Sequence, residues 1–229
     1  MEDRWFDRVM LPVVVTSVLF MLAVMEWSDL RFKHSPWTVL FVISACFTVA
    51  RYRSMSIELR QRQQGIEGER TVGQLLENMR SLGCKIYHDI SEDGYNIDHV
   101  IIAPHGVFSI ETKAPSKPLK GSPIVDFDGE TVSVDGFEQR EPVDQAKAAA
   151  RRVREILRQM TGQETYVKPV LLYVNWFVQS STRDDSIVVM NHDYFCKTFD
   201  RFQDRNTLSN TQVDFLAAGL ERYLREKKK

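Results

Sequence analysis

The sequence predicts an α/β protein with a mixed β-sheet flanked by helices, preceded by an N-terminal hairpin of two apolar helices. Two observations carry this prediction. From residue 65 onward the periodic segments run helix, three strands, a minor hairpin, helix, two strands and helix, a mixed order that argues for a mixed sheet between helices rather than a Rossmann-type repeat. Ahead of them, two runs without a charge, 9–25 and 36–50, stand in series with only EWSDLRFKHS between them.

At 1.5 Å of rise per residue, both runs fall slightly short of a bilayer core of about 30 Å, but Trp5, Trp27, Trp37 and Tyr52 flank them as interfacial aromatics would. A cleaved signal peptide competes for the first run and a buried core helix for the second. No small-residue cleavage site follows the first, and a second apolar run arrives at once, which favours a helical hairpin in a lipid bilayer. Arg51, Arg53, Arg60 and Arg62 follow the second run, against Arg31 and Lys33 in the connection. The positive-inside bias, with Arg4 and Arg8 in agreement, then puts both termini and the polar part in the cytoplasm, at the cell's inner or plasma membrane.

Residues 51–64 are polar and helix-permissive and read as a juxtamembrane linker; Gly65 and Gly68 interrupt the pattern before one domain over 65–229. Val72, Leu75, Leu76 and Met79 recur at helical spacing, with Gly83 as the stop. CKIYHDI (84–90) reads as a strand, SEDGYN as a turn-rich connection, and 97–113 as a hairpin around Ala-Pro-His-Gly. Residues 123–127 and 130–134 form a small hairpin if Asp128-Gly129 makes a tight turn. A helix starts at Pro142, where proline costs no hydrogen bond, with Val143, Ala146, Ala149, Val153, Ile156 and Met160 as its apolar stripe. Segments 166–174 and 186–190 read as strands, and a last helix starts near Ser209, whose spacing to Gln212 matches a capping box. Trp176, Phe177 and Tyr194 are assigned to the core, and His99 to the far face of the hairpin as a polar group.

Composition excludes several functions. Residues 65–229 carry 22 Lys+Arg against 25 Asp+Glu, a net charge of −3, so nucleic acid could be bound only through a local patch or a metal. Cys46, Cys84 and Cys196 offer neither a disulfide framework nor a Cys-x-x-Cys knuckle, and His88, His99 and His105 lack metal-ligand spacing. No glycine-rich phosphate loop follows a strand.

The chemistry is concentrated in the hairpin IDHVIIAPHGVFSIETK. Strand alternation puts Asp98, Val100 and Ile102 on one face, opposite Ile97, His99 and Ile101, and puts Val107, Ser109, Glu111 and Lys113 together on the next strand. With Pro104-His105 as a two-residue turn, Ala103 faces Gly106, paired numbers add to 209, and Asp98 faces Glu111. A three-residue turn would bring Thr112 there instead. Directly opposed carboxylates repel, so a positive group belongs between them. Lys113 supplies part of it and a hard cation such as Mg²⁺ or Mn²⁺ could supply more. The spacing alone favours a solvated strand end over a catalytic pair.

Asn-Ile-Asp-His followed by Gly-Val-Phe-Ser-Ile-Glu-Thr-Lys resembles the nuclease-related domain (NERD), a branch of the PD-(D/E)xK restriction-endonuclease-like superfamily. Gly-Glu-Arg-Thr-Val (68–72) is similar to that family's opening helix, Pro142-Val-Asp-Gln145 to its Asn-Pro-x-x-Gln motif, and Leu208-Ser-x-x-Gln to its closing helix. Glu141 stands where the family commonly has Asn, and the superfamily's Pro before the metal-binding Asp is missing. The resemblance implies a restriction-endonuclease-like core and a metal-dependent nuclease, on DNA more than RNA. In it Asp98, Glu111 and the Thr112 carbonyl ligate Mg²⁺ or Mn²⁺, and Lys113 orients or activates water. Glu69 adds a ligand or holds a water, and Gln145 positions Glu111, Lys113 or a phosphate oxygen. Gln145 also reads as a plain first-turn polar residue. Lys147, Arg151, Arg154 and Arg158 share a helix face that could meet phosphates or simply be solvated. The rival function is a membrane-tethered nucleic-acid or protein interaction module without turnover.

Overall fold

The computed structural model describes residues 10–27, 36–92, 94–117, 122–182, 185–201 and 207–227. Arg4, Arg8, Arg31 and Lys33, invoked above for orientation, and Trp5, invoked as an interfacial aromatic, lie outside them. The chain divides into two compact units, Met1–Arg62 and Gln63–Lys229.

In the first unit, helix α1 spans Leu11–Trp27 and helix α2 begins at Pro36. The hydroxyl of Thr16 bonds Ser44 Oγ at 2.8 Å and Thr48 Oγ1 at 2.9 Å, so the few polar groups of the two apolar runs meet one another. Val14, Val18, Phe20, Met21, Ile43 and Phe47 are exposed. Helices thus form where expected, but the expected pair of transmembrane spans is corrected. Among the described residues no helix is long and apolar enough to cross a membrane. The first helix has 17 residues, and the apolar part of the second gives way to Arg51 and Arg53 within the same helix.

Helix α2 runs without interruption from Pro36 to Glu77, through Gly65 and Gly68. Residues 51–64 are rich in Arg and Gln, good helix formers, and Arg62 pairs with Glu58 one turn back at 2.7 Å. An interior glycine costs only about 1 kcal/mol, too little to end such a helix. A short 3-10 helix, Asn78–Leu82, then ends at Gly83, whose φ of 83° is the left-handed conformation expected of a stop there.

The second unit is built on a five-stranded mixed sheet, ordered β1-β2-β3-β7-β9. Strands β1 (Lys85–Glu92), β2 (Tyr95–Ala103) and β3 (Gly106–Lys113) form an antiparallel meander. Strands β7 (Val167–Tyr173) and β9 (Val188–Asn191) add to it in parallel. Helices α3 (Glu141–Thr161) and α5 (Asn210–Lys227) bury one face: Val153, Ile156, Leu216 and Leu220 pack on Val100, Ile102 and Val107. The C-terminal turns of α2 and the short helix α4 (His192–Thr198) cover the other, where Val72, Leu76, Phe195 and Phe199 pack on Ile101, Phe108 and Ile110. The capping box of α5 is reciprocal: Gln212 N donates to Ser209 Oγ, and Ser209 N donates to Gln212 Oε1.

A second, four-stranded sheet, β6-β5-β4-β8, comprises β4 (Ile124–Phe127), β5 (Val132–Val134), β6 (Phe137–Gln139) and β8 (Phe177–Ser180). The tight Asp128-Gly129 turn is corrected to a four-residue loop, since Phe127 faces Val132. Asp128 Oδ1 accepts from both Glu130 N and Thr131 N, which stabilises the longer turn. Trp176 is buried as expected, and its Nε1 donates to the Pro115 carbonyl at 2.9 Å. Phe177 and Tyr194 are 62% and 60% exposed, not core. Phe177 follows a buried residue on an edge strand, and the two-residue period turns it outward.

Candidate active site

The turn at Pro104-His105 sets the site. Ala103 faces Gly106, Ile102 faces Val107 and His99 faces Ile110, so the register adds to 209 as the two-residue turn requires. The ladder ends one pair short of Asp98 and Glu111. There the Asp98 side chain replaces a backbone acceptor: Thr112 N donates to Asp98 Oδ2 at 2.8 Å. Alternation along β3 holds, with Val107 on the α3 side and Phe108 and Ile110 on the α2 side. Along β2 it fails at Asp98, because Ile97 packs in the same core as Val100 and Ile102. The expected grouping of Ile97 with His99 and Ile101 is therefore corrected. The cause lies across the ladder, where Asp89, with φ of 51° in the left-handed region, interrupts the pairing of β1 with β2.

Lys113 is the centre of a fixed polar chain. Its Nζ donates to Glu111 Oε1 at 2.7 Å and to Gln145 Oε1 at 2.8 Å, and Gln145 Nε2 donates to Glu141 Oε1 at 3.1 Å. Lysine only donates and a carboxylate only accepts, so this chain admits one orientation of the Gln145 amide. Glu141, the departure from Asn noted above, thereby holds the amide oxygen toward Lys113. Pro142 in the first turn starts α3 where Gln145 falls beside the end of β3.

Glu69 comes from the α2 side. A Cβ on Gly68 would stand 2.5 Å from Ala114 Cβ, so only glycine lets the helix approach the chain just past Lys113 this closely. Glu69, Asp98, Glu111, Lys113 and Gln145 all line one cavity of about 410 Å³. Asp89, Tyr95 and Asn96 line it as well and escaped the sequence reading. The signal for Asp89 was present: Glu92 faces Tyr95, so β1–β2 pairs add to 187, which puts Asp89 opposite Asp98.

The electrostatics are those of crowded carboxylates. Asp98 is 9% exposed. Burial first and the Glu111 charge second raise its proton affinity well above the usual carboxylate range, against the lowering effect of the Thr112 N–H. Burial, then the charges of Asp89 and Glu111, raise Glu69 in the same direction. An excess of negative charge that one lysine does not cancel suits a hard cation with oxygen ligands. Among the described residues, no group of three His, Cys, Asp or Glu is arranged to hold a metal. Asp98 and Glu111, which line the same cavity, are the carboxylates here that could take part in holding such a cation.

The basic face of α3 does not line the cavity. Arg154 and Arg158 both pair with Glu164, at 2.9 and 3.6 Å, while no described residue pairs with Lys147 or Arg151. His99 is buried against Gly73 of α2, with its Nδ1 2.8 Å from His88 Nδ1. His88 Nε2 in turn lies 2.7 Å from Glu77 Oε1.

Residues 64–174 match the family described as nuclease-related domain (NERD). No curated protein and no solved structure matches the chain.

Proposed function

Because residues 64–174 are a nuclease-related domain, we propose that this protein is a membrane-associated nuclease that hydrolyses phosphodiester bonds of DNA in preference to RNA, with Mg²⁺ or Mn²⁺. The observation that carries the reading is Lys113, clamped by Glu111 and Gln145 at a cavity it shares with Asp98. We read the domain as a restriction-endonuclease-like core. In support, Asp98 and the Glu111-x-Lys113 pair stand on adjacent antiparallel strands at the open end of one hairpin.

Asp98, Glu111 and the Thr112 carbonyl are the groups that would hold the cation. When bound, it supplies Lewis-acid polarisation and a template for in-line phosphodiester hydrolysis. Lys113 meets the charge that develops on the phosphate and orients the attacking water. Its two hydrogen bonds fix the ammonium before substrate arrives, so little ordering is left for the transition state. Glu141 and Gln145 position Lys113. Glu69 can hold a water by accepting a hydrogen bond from it. Lys147 and Arg151 are left to meet phosphates, with Arg154 and Arg158 contributing less because Glu164 already engages them.

Membrane association at the cell's inner or plasma membrane, with the nuclease-related domain in the cytoplasm, belongs to the same proposal. Its support is the first unit, in which hydroxyls bond between two helices while large apolar side chains face outward, an arrangement suited to lipid.

The test is incubation of the full chain with single- and double-stranded DNA and with RNA, in Mg²⁺, Mn²⁺ or EDTA. Metal-dependent cleavage, faster on DNA, is the expected result. Binding without cleavage in any metal would replace this reading with that of an interaction module.

A further inference from the structure

The cavity that holds the carboxylates has an apolar part, made by Tyr95 of β2 and by Ala148 and Ala149 of α3. Tyr95 is 45% exposed, and no described residue hydrogen-bonds its hydroxyl. The backbone beneath it is held firmly. Tyr95 faces Glu92 across the β1–β2 ladder. The Glu92 carboxylate accepts from Arg152 Nε at 2.7 Å, Tyr223 Oη at 2.8 Å and Lys227 Nζ at 2.9 Å. A half-open ring on a fixed strand, at the rim of a polar cavity, contributes little to any core. Its strand position lies three residues from Asp98, about 10 Å of extended chain, which is within the reach of one nucleotide.

We infer that Tyr95 is a stacking platform for one base of the nucleic acid, beside the phosphate presented to Lys113. The inference rests on the nuclease reading and narrows it to a substrate class. Lys113 and the carboxylates make the polar side of the cavity, where a phosphate belongs, so the apolar surface of Tyr95, Ala148 and Ala149 is where the uncharged face of a base can lie. A cavity of about 410 Å³ is within the usual size of a small-molecule site and has room for a single nucleotide. A base inside a duplex already has both faces covered. The protein therefore selects single-stranded, frayed or end-exposed nucleic acid over intact duplex, by stacking and without reading sequence.

The experiment uses the full chain and its Tyr95→Phe and Tyr95→Leu variants in Mg²⁺. The probe is a phosphorothioate-linked oligonucleotide carrying one 2-aminopurine, as a single strand and as a duplex, and fluorescence quenching reports stacking directly. The expected results are tighter binding of the single strand, quenching kept in Tyr95→Phe, and about tenfold weaker binding without quenching in Tyr95→Leu. Tyr95→Leu was chosen because it keeps apolar bulk on the strand, and unchanged circular dichroism verifies its fold. Wild-type binding and quenching in Tyr95→Leu would overturn the stacking role alone, leaving a nuclease that cleaves by other contacts. A wild-type chain that neither binds nor cleaves any nucleic acid would overturn the stacking role together with the nuclease reading beneath it.

Discussion

Replacing Glu92 with alanine should be the most destabilising single change outside the apolar cores. Its side chain is 4% exposed and joins the end of β1 to α3 through Arg152 and to α5 through Tyr223 and Lys227. Burial alone would raise its proton affinity, but the hydrogen bonds from Lys227, Tyr223 and Arg152 outweigh burial and lower it. A hydrogen bond to a charged group is worth about 1.5–3 kcal/mol. Lys227, at the solvent-exposed end of the chain of contacts, adds little after solvent screening. Truncation also leaves Arg152, whose side chain is 27% exposed, without its shortest acceptor. Together these give a loss of about 3–5 kcal/mol, the usual cost of breaking a buried ion pair by removing one partner. For a domain of this size that lowers Tm by roughly 6–20 °C. Equilibrium urea unfolding followed by circular dichroism measures it, with Glu92→Gln as the partner variant expected to lose about half as much. A loss below about 1 kcal/mol in Glu92→Ala would refute the reasoning, since the three hydrogen bonds would then contribute no more than a surface pair.

Gly68→Ala should cost about 1–3 kcal/mol and slow cleavage, because its methyl group would meet Ala114 at 2.5 Å and push Glu69 away from Lys113; melting curves and initial rates measure the two effects. Gln145→Ala should leave stability within about 0.5 kcal/mol, since the residue is exposed, yet lower kcat about tenfold by releasing Lys113, with KM little changed. His99 is held neutral: burial first, and His88 second, lower its pKa from 6.5 to about 4. The unfolded chain therefore takes up this proton first as pH falls, so the contribution is complete above about pH 6.5. It is lost progressively toward pH 4, by up to about 3 kcal/mol. Urea midpoints between pH 7 and 4 should decline over that window in the wild type and less in His99→Gln.

Much of the site was legible because a short turn fixes a long consequence. Once Pro104-His105 is a two-residue turn, the pairing of every residue up to His99 and Ile110 follows, and Asp98 and Glu111 come next in the same register. The strands, the stop at Gly83 and the Ser209–Gln212 box were readable for the same reason, each being a local rule satisfied locally. What escaped depends on distant packing. Gly68 looks like a helix breaker in sequence, and only its approach to Ala114 explains it. The left-handed Asp89 and the strand irregularity at Asp98 have no hydrophobic signature. Strand β6 has three exposed residues, too few for a period of two to register. The α3 arginines looked uniform, yet Glu164, on the segment after the helix, pairs with two of them. The two N-terminal runs read as membrane spans by composition, but length and the early onset of arginines in α2 leave neither helix long and apolar enough to cross.

The central claim is that Asp98, Glu111 and Lys113 act as one metal-dependent hydrolytic site. It is tested most directly by the single-turnover rate of DNA cleavage by the full chain in Mg²⁺, compared with Asp98→Asn and Lys113→Met, each verified as folded. The account predicts cleavage by the wild type that EDTA abolishes, and a loss of at least about a hundredfold in each variant. Cleavage at the wild-type rate in either variant, or in EDTA, would contradict it.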